Sequence, residues 1–142
     1  MKEMVYKHDW NSSLLEYNTY KGYNYAVVSQ GVFPCGYVEI PESHPYYKKE
    51  YMKCNIRCHG GLTFSGKLNE ELGLPTNTFW LGWDYGHYGD LLGYDFLLKD
   101  IAIGNAYTTE DVVYECKKVI EQLEVKNEIC NSNNAKRRNS NT

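Results

Sequence analysis

The sequence predicts an α+β domain, a mostly antiparallel β-sheet packed on one face by a C-terminal amphipathic helix. Three observations lead there. Two short runs rich in aromatic and β-branched residues, Tyr23–Ser29 and Cys35–Ile40, flank a break that contains Gly31 and Pro34. A third apolar run, Thr78–Trp83, leads directly into a glycine-spaced loop. One stretch, beginning at Thr108, repeats its apolar residues with the period of a helix.

Taken in chain order, the first two runs read as a hairpin closed by a loop of about five residues. Pro41 and Pro45 then bracket a loop, because each lacks an N–H and biases its predecessor away from helix. Met52–His59 alternates: Met52, Cys54, Ile56 and Cys58 share one side, and Lys53, Asn55, Arg57 and His59 the other. That pattern predicts a half-buried strand ended by Gly60-Gly61. In the helix, Thr108 is the expected cap, Glu110 and Asp111 favour the first turn, and Val112, Val113, Cys116, Val119, Ile120 and Leu123 form the core stripe. The reading is one domain over residues 1–130, with 131–142 a disordered polar and basic tail.

With 142 residues the chain can bury a core without metals or disulfides. Its net charge is −3; without the tail, twelve Lys and Arg stand against eighteen Asp and Glu. Such a body is a poor match for extended nucleic acid, whose affinity rests on clustered cations. The charge is uneven, however. His44–Lys67 carries five cations against Glu50, whereas Leu68–Glu115 carries nine acids against Lys99. No run of apolar residues reaches membrane-spanning length, and the start of the chain lacks the apolar core of a signal peptide. A cytoplasmic protein with reduced cysteines is expected.

Two segments hold the chemistry-bearing residues. His59-Gly60-Gly61-Leu62-Thr63-Phe64-Ser65-Gly66 offers an imidazole, exposed backbone N–H groups and two hydroxyls, and lies in the basic stretch. It suits a phosphate or carboxylate, but it lacks both the Gly-Lys-Ser/Thr ending of a P-loop and the glycine spacing of a nucleophile elbow. The alternative is a glycine turn capped by its own hydroxyls. Trp83-Asp84-Tyr85-Gly86-His87-Tyr88-Gly89-Asp90 spaces Asp84, His87 and Asp90 by three, as a general base flanked by carboxylates or a divalent-metal set would. The alternative there is an Asx turn at Asp84 with His87 packed on tyrosine. A zinc site at Cys54, Cys58 and His59 fails on spacing, since strand residues four apart lie about 13 Å from each other. No cofactor is expected and no metal is assigned. His44 is a further candidate for the same cleft.

The motifs Cys35-Gly36-Tyr37-Val38, Ile40-Pro41, His44-Pro45, His59–Gly66, Trp80-Leu81-Gly82-Trp83-Asp84 with His87 and Gly89-Asp90, and the helix residues Glu115, Gln122 and Leu123 occur in a fixed order. This series resembles a family of small proteins of bacteriophage and prophage genomes, over about Tyr23–Leu123. Members of that family commonly carry cysteine and a small residue where Tyr85 and Gly86 stand here. By analogy with other small phage proteins, the resemblance implies interference with host enzymes or capture of host signalling nucleotides.

The functional expectation is a phage-type accessory protein that sequesters a small anionic, nucleotide-derived ligand in counter-defence. Arg57, Thr63 and Ser65 would hold phosphate; Trp83, Tyr85 or Tyr88 would stack the base; Asp84 and Asp90 would accept ribose hydroxyls, beside His59 and His87. One alternative is a hydrolase of a phosphodiester or nucleotide bond through His59, Asp84 and His87. Another is a protein–protein inhibitor of a host enzyme using surface tyrosines. Self-association stays open.

Overall fold

The computed structural model describes residues 13–30, 33–68, 70–86 and 107–140. It has a five-stranded sheet, β1 (Ser13–Tyr20), β2 (Tyr23–Ser29), β3 (Pro34–Ile40), β4 (Phe64–Gly66) and β5 (Phe79–Asp84), and a long helix α1 (Thr109–Ser140). The strand order is β1-β2-β3-β5-β4, with every neighbouring pair antiparallel. The expected fold class is therefore the observed one, in a single domain.

The β2–β3 hairpin forms as its sequence predicts, with Tyr25 opposite Val38 and Ser29 opposite Pro34. β1 is an addition. It is joined to β2 through Lys21 and Gly22, both at positive φ (51° and 83°), the geometry that matches a tight hairpin turn to the twist of its strands. Its half-polar sequence suits an edge strand with little buried surface, which is why alternation alone misses it.

Side chains alternate between two layers. On the helix side, Tyr25, Val27, Val38, Ile40, Leu81 and Trp83 meet Val112, Cys116, Val119, Ile120 and Leu123. On the other side, Ala26, Val28, Cys35, Tyr37 and Trp80 pack with Leu74 and the half-buried Phe33, Phe64, Leu68 and Leu72. Thr108 caps α1 reciprocally with Asp111: Asp111 N–H donates to Thr108 Oγ1 (3.1 Å), and Thr108 N–H donates to Asp111 Oδ2 (3.0 Å).

Two expectations are corrected. Met52–His59 is not a strand: Tyr51–Lys53 is a turn of 3-10 helix, and the residues that follow join no sheet. Met52 is 73% exposed, and within the alternating set only Ile56 is buried. The backbone of this segment is instead satisfied by side chains. Asn55 N–H donates to Tyr46 Oη (3.1 Å), Arg57 N–H to Gln122 Oε1 (2.8 Å) and His59 N–H to Glu115 Oε2 (2.9 Å), while Gln122 Nε2 donates back to the Arg57 carbonyl (2.7 Å). Gln122 and Glu115 thus do for this segment what a neighbouring strand would. The second correction concerns the tail, since α1 continues through residue 140. The absence of apolar anchors removes a reason for docking, not for helicity, because extending a nucleated helix costs little.

Candidate functional site

α1 packs on the helix-side layer, and its first two turns border His59 and Tyr85, the residue just after β5. The His59 ring stacks on Tyr85, centroids 4.3 Å apart and planes within 14°. Tyr107 closes against both, 4.8 Å from His59 and 4.7 Å from Tyr85. With Asp111, Tyr114 and Glu115, these rings line an open cleft of about 430 Å³. On the other flank of Glu115, Arg57, Cys58, Lys118 and Gln122 line a groove of about 510 Å³. Tyr114 is 64% exposed, and Lys118 Nζ sits 5.2 Å over its ring, so aromatic surface and cation adjoin.

The segments singled out in the sequence therefore do meet, through His59 and Tyr85, but their residues divide between roles. Trp83 is 1% exposed and donates its indole N–H to Tyr85 Oη (3.2 Å), so it is core and offers no stacking face. Tyr85 is also buried, and one side of its ring is taken by His59. Strand alternation sends Asp84 to the layer opposite Tyr85, where its Oδ1 accepts Gly86 N–H (3.0 Å) and its Oδ2 accepts Thr63 Oγ1–H (3.3 Å). Asp84 is thus the cap of an Asx-type turn that ties in Thr63, on the other side of the sheet from the His59 ring. Ser65 Oγ accepts Tyr51 N–H (3.1 Å) and holds the 3-10 turn. His87, Tyr88 and Asp90 lie outside the described residues.

His44 does not line this cleft. It is 3% exposed, its Nδ1 accepts Tyr46 N–H (3.0 Å), and its Nε2 lies 2.8 Å from the Leu123 carbonyl. With Nδ1 accepting, the proton resides on Nε2, which donates to α1. Burial lowers the His44 pKa, opposed in part by the Leu123 hydrogen bond. Leu123, Gln122 and Glu115, the helix members of the motif series, each hold a loop segment: His44, Arg57 and His59 respectively.

What the motif reading missed on the flank of α1 is Asp111 and Lys118. With the motif members Glu115 and Gln122 they follow at i, i+4, i+7 and i+11, so the four share one stripe away from the apolar core. That spacing is legible in the sequence; that the stripe borders a cleft is not. Among the described residues no group of three or more His, Cys, Asp and Glu is arranged to hold a metal.

Cys58 borders the cationic groove, and burial, with the nearby Glu115 charge, pushes its thiol up to about 12, against a lowering hydrogen bond from Gly61. From an ordinary value of 9.0, that shift reduces the thiolate present at pH 8 by about a thousandfold. Iodoacetamide is accordingly expected to alkylate Cys58 far more slowly than free cysteine at pH 8, as peptide mass mapping can follow. Alkylation at the free-cysteine rate would show that the site stabilises a thiolate.

The chain matches no protein-family model, no curated protein and no solved structure. Among the described residues, no helix is long and apolar enough to cross a membrane.

Proposed function

We propose that this protein binds a small nucleotide-type ligand, its ring in the aromatic cleft and its anionic end in the adjoining groove. The observation that carries the reading is the order of side chains along α1. Asp111 and Tyr114 lie in the cleft, Glu115 is shared, and Lys118 stands in the groove with Arg57. Asp111 to Lys118 spans seven residues, about 10 Å at 1.5 Å per residue, which is near the length of a nucleoside monophosphate. Tyr107 and Tyr114 supply ring faces, Glu115 accepts ribose hydroxyls, and Arg57 with Lys118 neutralises the phosphate. Cys58, held as a neutral thiol, adds no opposing charge there.

Of the residues first proposed to hold such a ligand, Arg57, His59 and Tyr85 remain in this reading. Thr63, Ser65, Trp83 and Asp84 support the fold around it. The resemblance to phage-encoded proteins supplies the biological setting, sequestration of a host signalling nucleotide in the cytoplasm. In the hydrolase alternative Asp84 would orient one imidazole; its place on the opposite layer of the sheet does not favour His59 in that role, and His87 lies outside the described residues.

Isothermal titration of the full chain with nucleoside monophosphates should release or absorb heat with at least one of them, and Tyr114→Ala and Lys118→Ala should each weaken that binding about tenfold or more. A stacked base alone contributes about 1–3 kcal/mol. No heat with any monophosphate, or binding unchanged in both variants, would remove this reading.

A further inference from the structure

Among the described residues two carboxylates line the cleft, and each is half used. Asp111 Oδ2 accepts Thr108 N–H and Glu115 Oε2 accepts His59 N–H, whereas Asp111 Oδ1 and Glu115 Oε1 make no hydrogen bond within the described residues. An ionised carboxylate can only accept, so whatever edge of a ligand faces it must donate. Glu115 borders both the cleft and the groove and therefore meets the middle of the ligand; Asp111 borders the cleft alone and meets the ring.

We infer that the cleft selects guanine among the nucleobases, an inference that rests on the nucleotide reading above. Guanine presents two adjacent donors, N1–H and the 2-amino group, which the open Asp111 Oδ1 and the second lone pair of Oδ2 can accept side by side. Adenine interrupts its amino donor with the N1 acceptor, whose lone pair would face the Asp111 charge. Hypoxanthine keeps N1–H but lacks the 2-amino group, and uracil places a carbonyl on each side of its N3–H. Sites built to hydrogen-bond a particular donor reject analogues lacking it, because the site's polar group then loses its water without gaining a partner.

The test is a set of titrations of the full chain with GMP, IMP, AMP and UMP under one buffer. GMP should bind at least tenfold more tightly than each of the others, IMP being the strictest comparison because it differs only by the 2-amino group. Asp111→Asn keeps an oxygen for Thr108 N–H and turns a donor toward the ring. It should reduce the preference for GMP over IMP to less than about threefold, with α1 content verified by circular dichroism. Tyr114→Ala should weaken all four ligands together, leaving the preference in place.

Equal binding of GMP, IMP and AMP would overturn the guanine assignment while leaving nucleotide binding intact. A preference that survives Asp111→Asn would overturn the role of Asp111. Absence of binding by all four would overturn the assignment together with the reading beneath it. If Asp111→Asn does not fold, the comparison of GMP with IMP on the unaltered chain still decides.

Discussion

Gly36→Ala is expected to destabilise the protein by about 3 kcal/mol, among the larger costs a single methyl can impose. β3 and β5 pair Gly36 with Trp83 and Tyr37 with Gly82. Each glycine lies beneath the aromatic ring opposite it, on alternate faces of the sheet. A Cβ at Gly36 would fall 2.5 Å from Trp83 Cζ2 and 2.7 Å from Cε2, and a Cβ at Gly82 would run into the Tyr37 ring. Trp83 cannot retreat, because it is buried against the helix-side core and its indole N–H is bonded to Tyr85. In a chain of this length, thermal unfolding should fall by about 10 °C. Combining Gly36→Ala with Trp83→Leu should recover part of that loss by making room, although Trp83→Leu alone is also destabilising. Strictly additive losses in the double variant would mean that the ring and the glycine do not share this space.

His44→Ala is expected to cost about 2–4 kcal/mol, through a cavity, the buried Tyr46 N–H left without its acceptor, and the loss of the second hydrogen bond to the Leu123 carbonyl, which as a mid-helix group also accepts within α1. The same geometry makes His44 a source of pH dependence. Its neutral form is the one the fold accommodates, so the folded pKa lies below the ordinary 6.5. Between those values the unfolded chain binds more protons than the folded one, and stability falls as the pH falls. The His44 contribution is therefore complete above about pH 6.5 and is lost progressively as pH drops from there toward the folded value. Urea unfolding at pH 7.5 and 5.5 measures it. Carboxylates titrate in both proteins, so the informative quantity is the difference between wild type and His44→Gln, which should shrink on acidification. Gln can still accept from one group and donate to the other, so it should retain more stability than Ala. A wild-type advantage that stays constant across that range would show that His44 titrates normally.

Both predictions concern residues that the sequence marked as motif members. Gly36, Gly82, His44, Glu115, Gln122 and Leu123 stand out when the chain is read in order, and each proves to fasten one element to another. Gly36 and Gly82 let two strands carry aromatic rings across each other, and His44 pins its loop to α1. Glu115 and Gln122 replace the strand that Met52–His59 would otherwise need. A conspicuous residue is thus as readily a fastening as a reactive group. Residue type alone does not separate the two, because the same hydrogen-bonding chemistry serves both.

The candidate site was half legible. His59 and Tyr85 were marked, and the structure stacks one on the other. Trp83 looked equally suitable as a platform, but the register that pairs it with Gly36 buries it. Asp84 looked like the partner of a histidine, and the two-residue period of β5 turns it to the opposite layer from Tyr85. Tyr107, Asp111, Tyr114 and Lys118 gave no motif signal.

The sequence by itself determined the hairpin of β2 and β3, the strand β5, the capped start of α1 and the stripe by which that helix docks. These are local matters: alternation, helical spacing, a Thr–Asp cap and turn residues act within a few positions of one another. Only the tertiary structure decided that Met52–His59 is held by side chains rather than strands, that β1 completes the sheet, and that the flank of α1 borders a cleft. The reason is physical. Local periodicity tells which face of a segment will be buried, but not which distant group reaches its backbone. The acceptors for Arg57 and His59 lie 65 and 56 residues away along the chain and become neighbours only when the helix settles on the sheet.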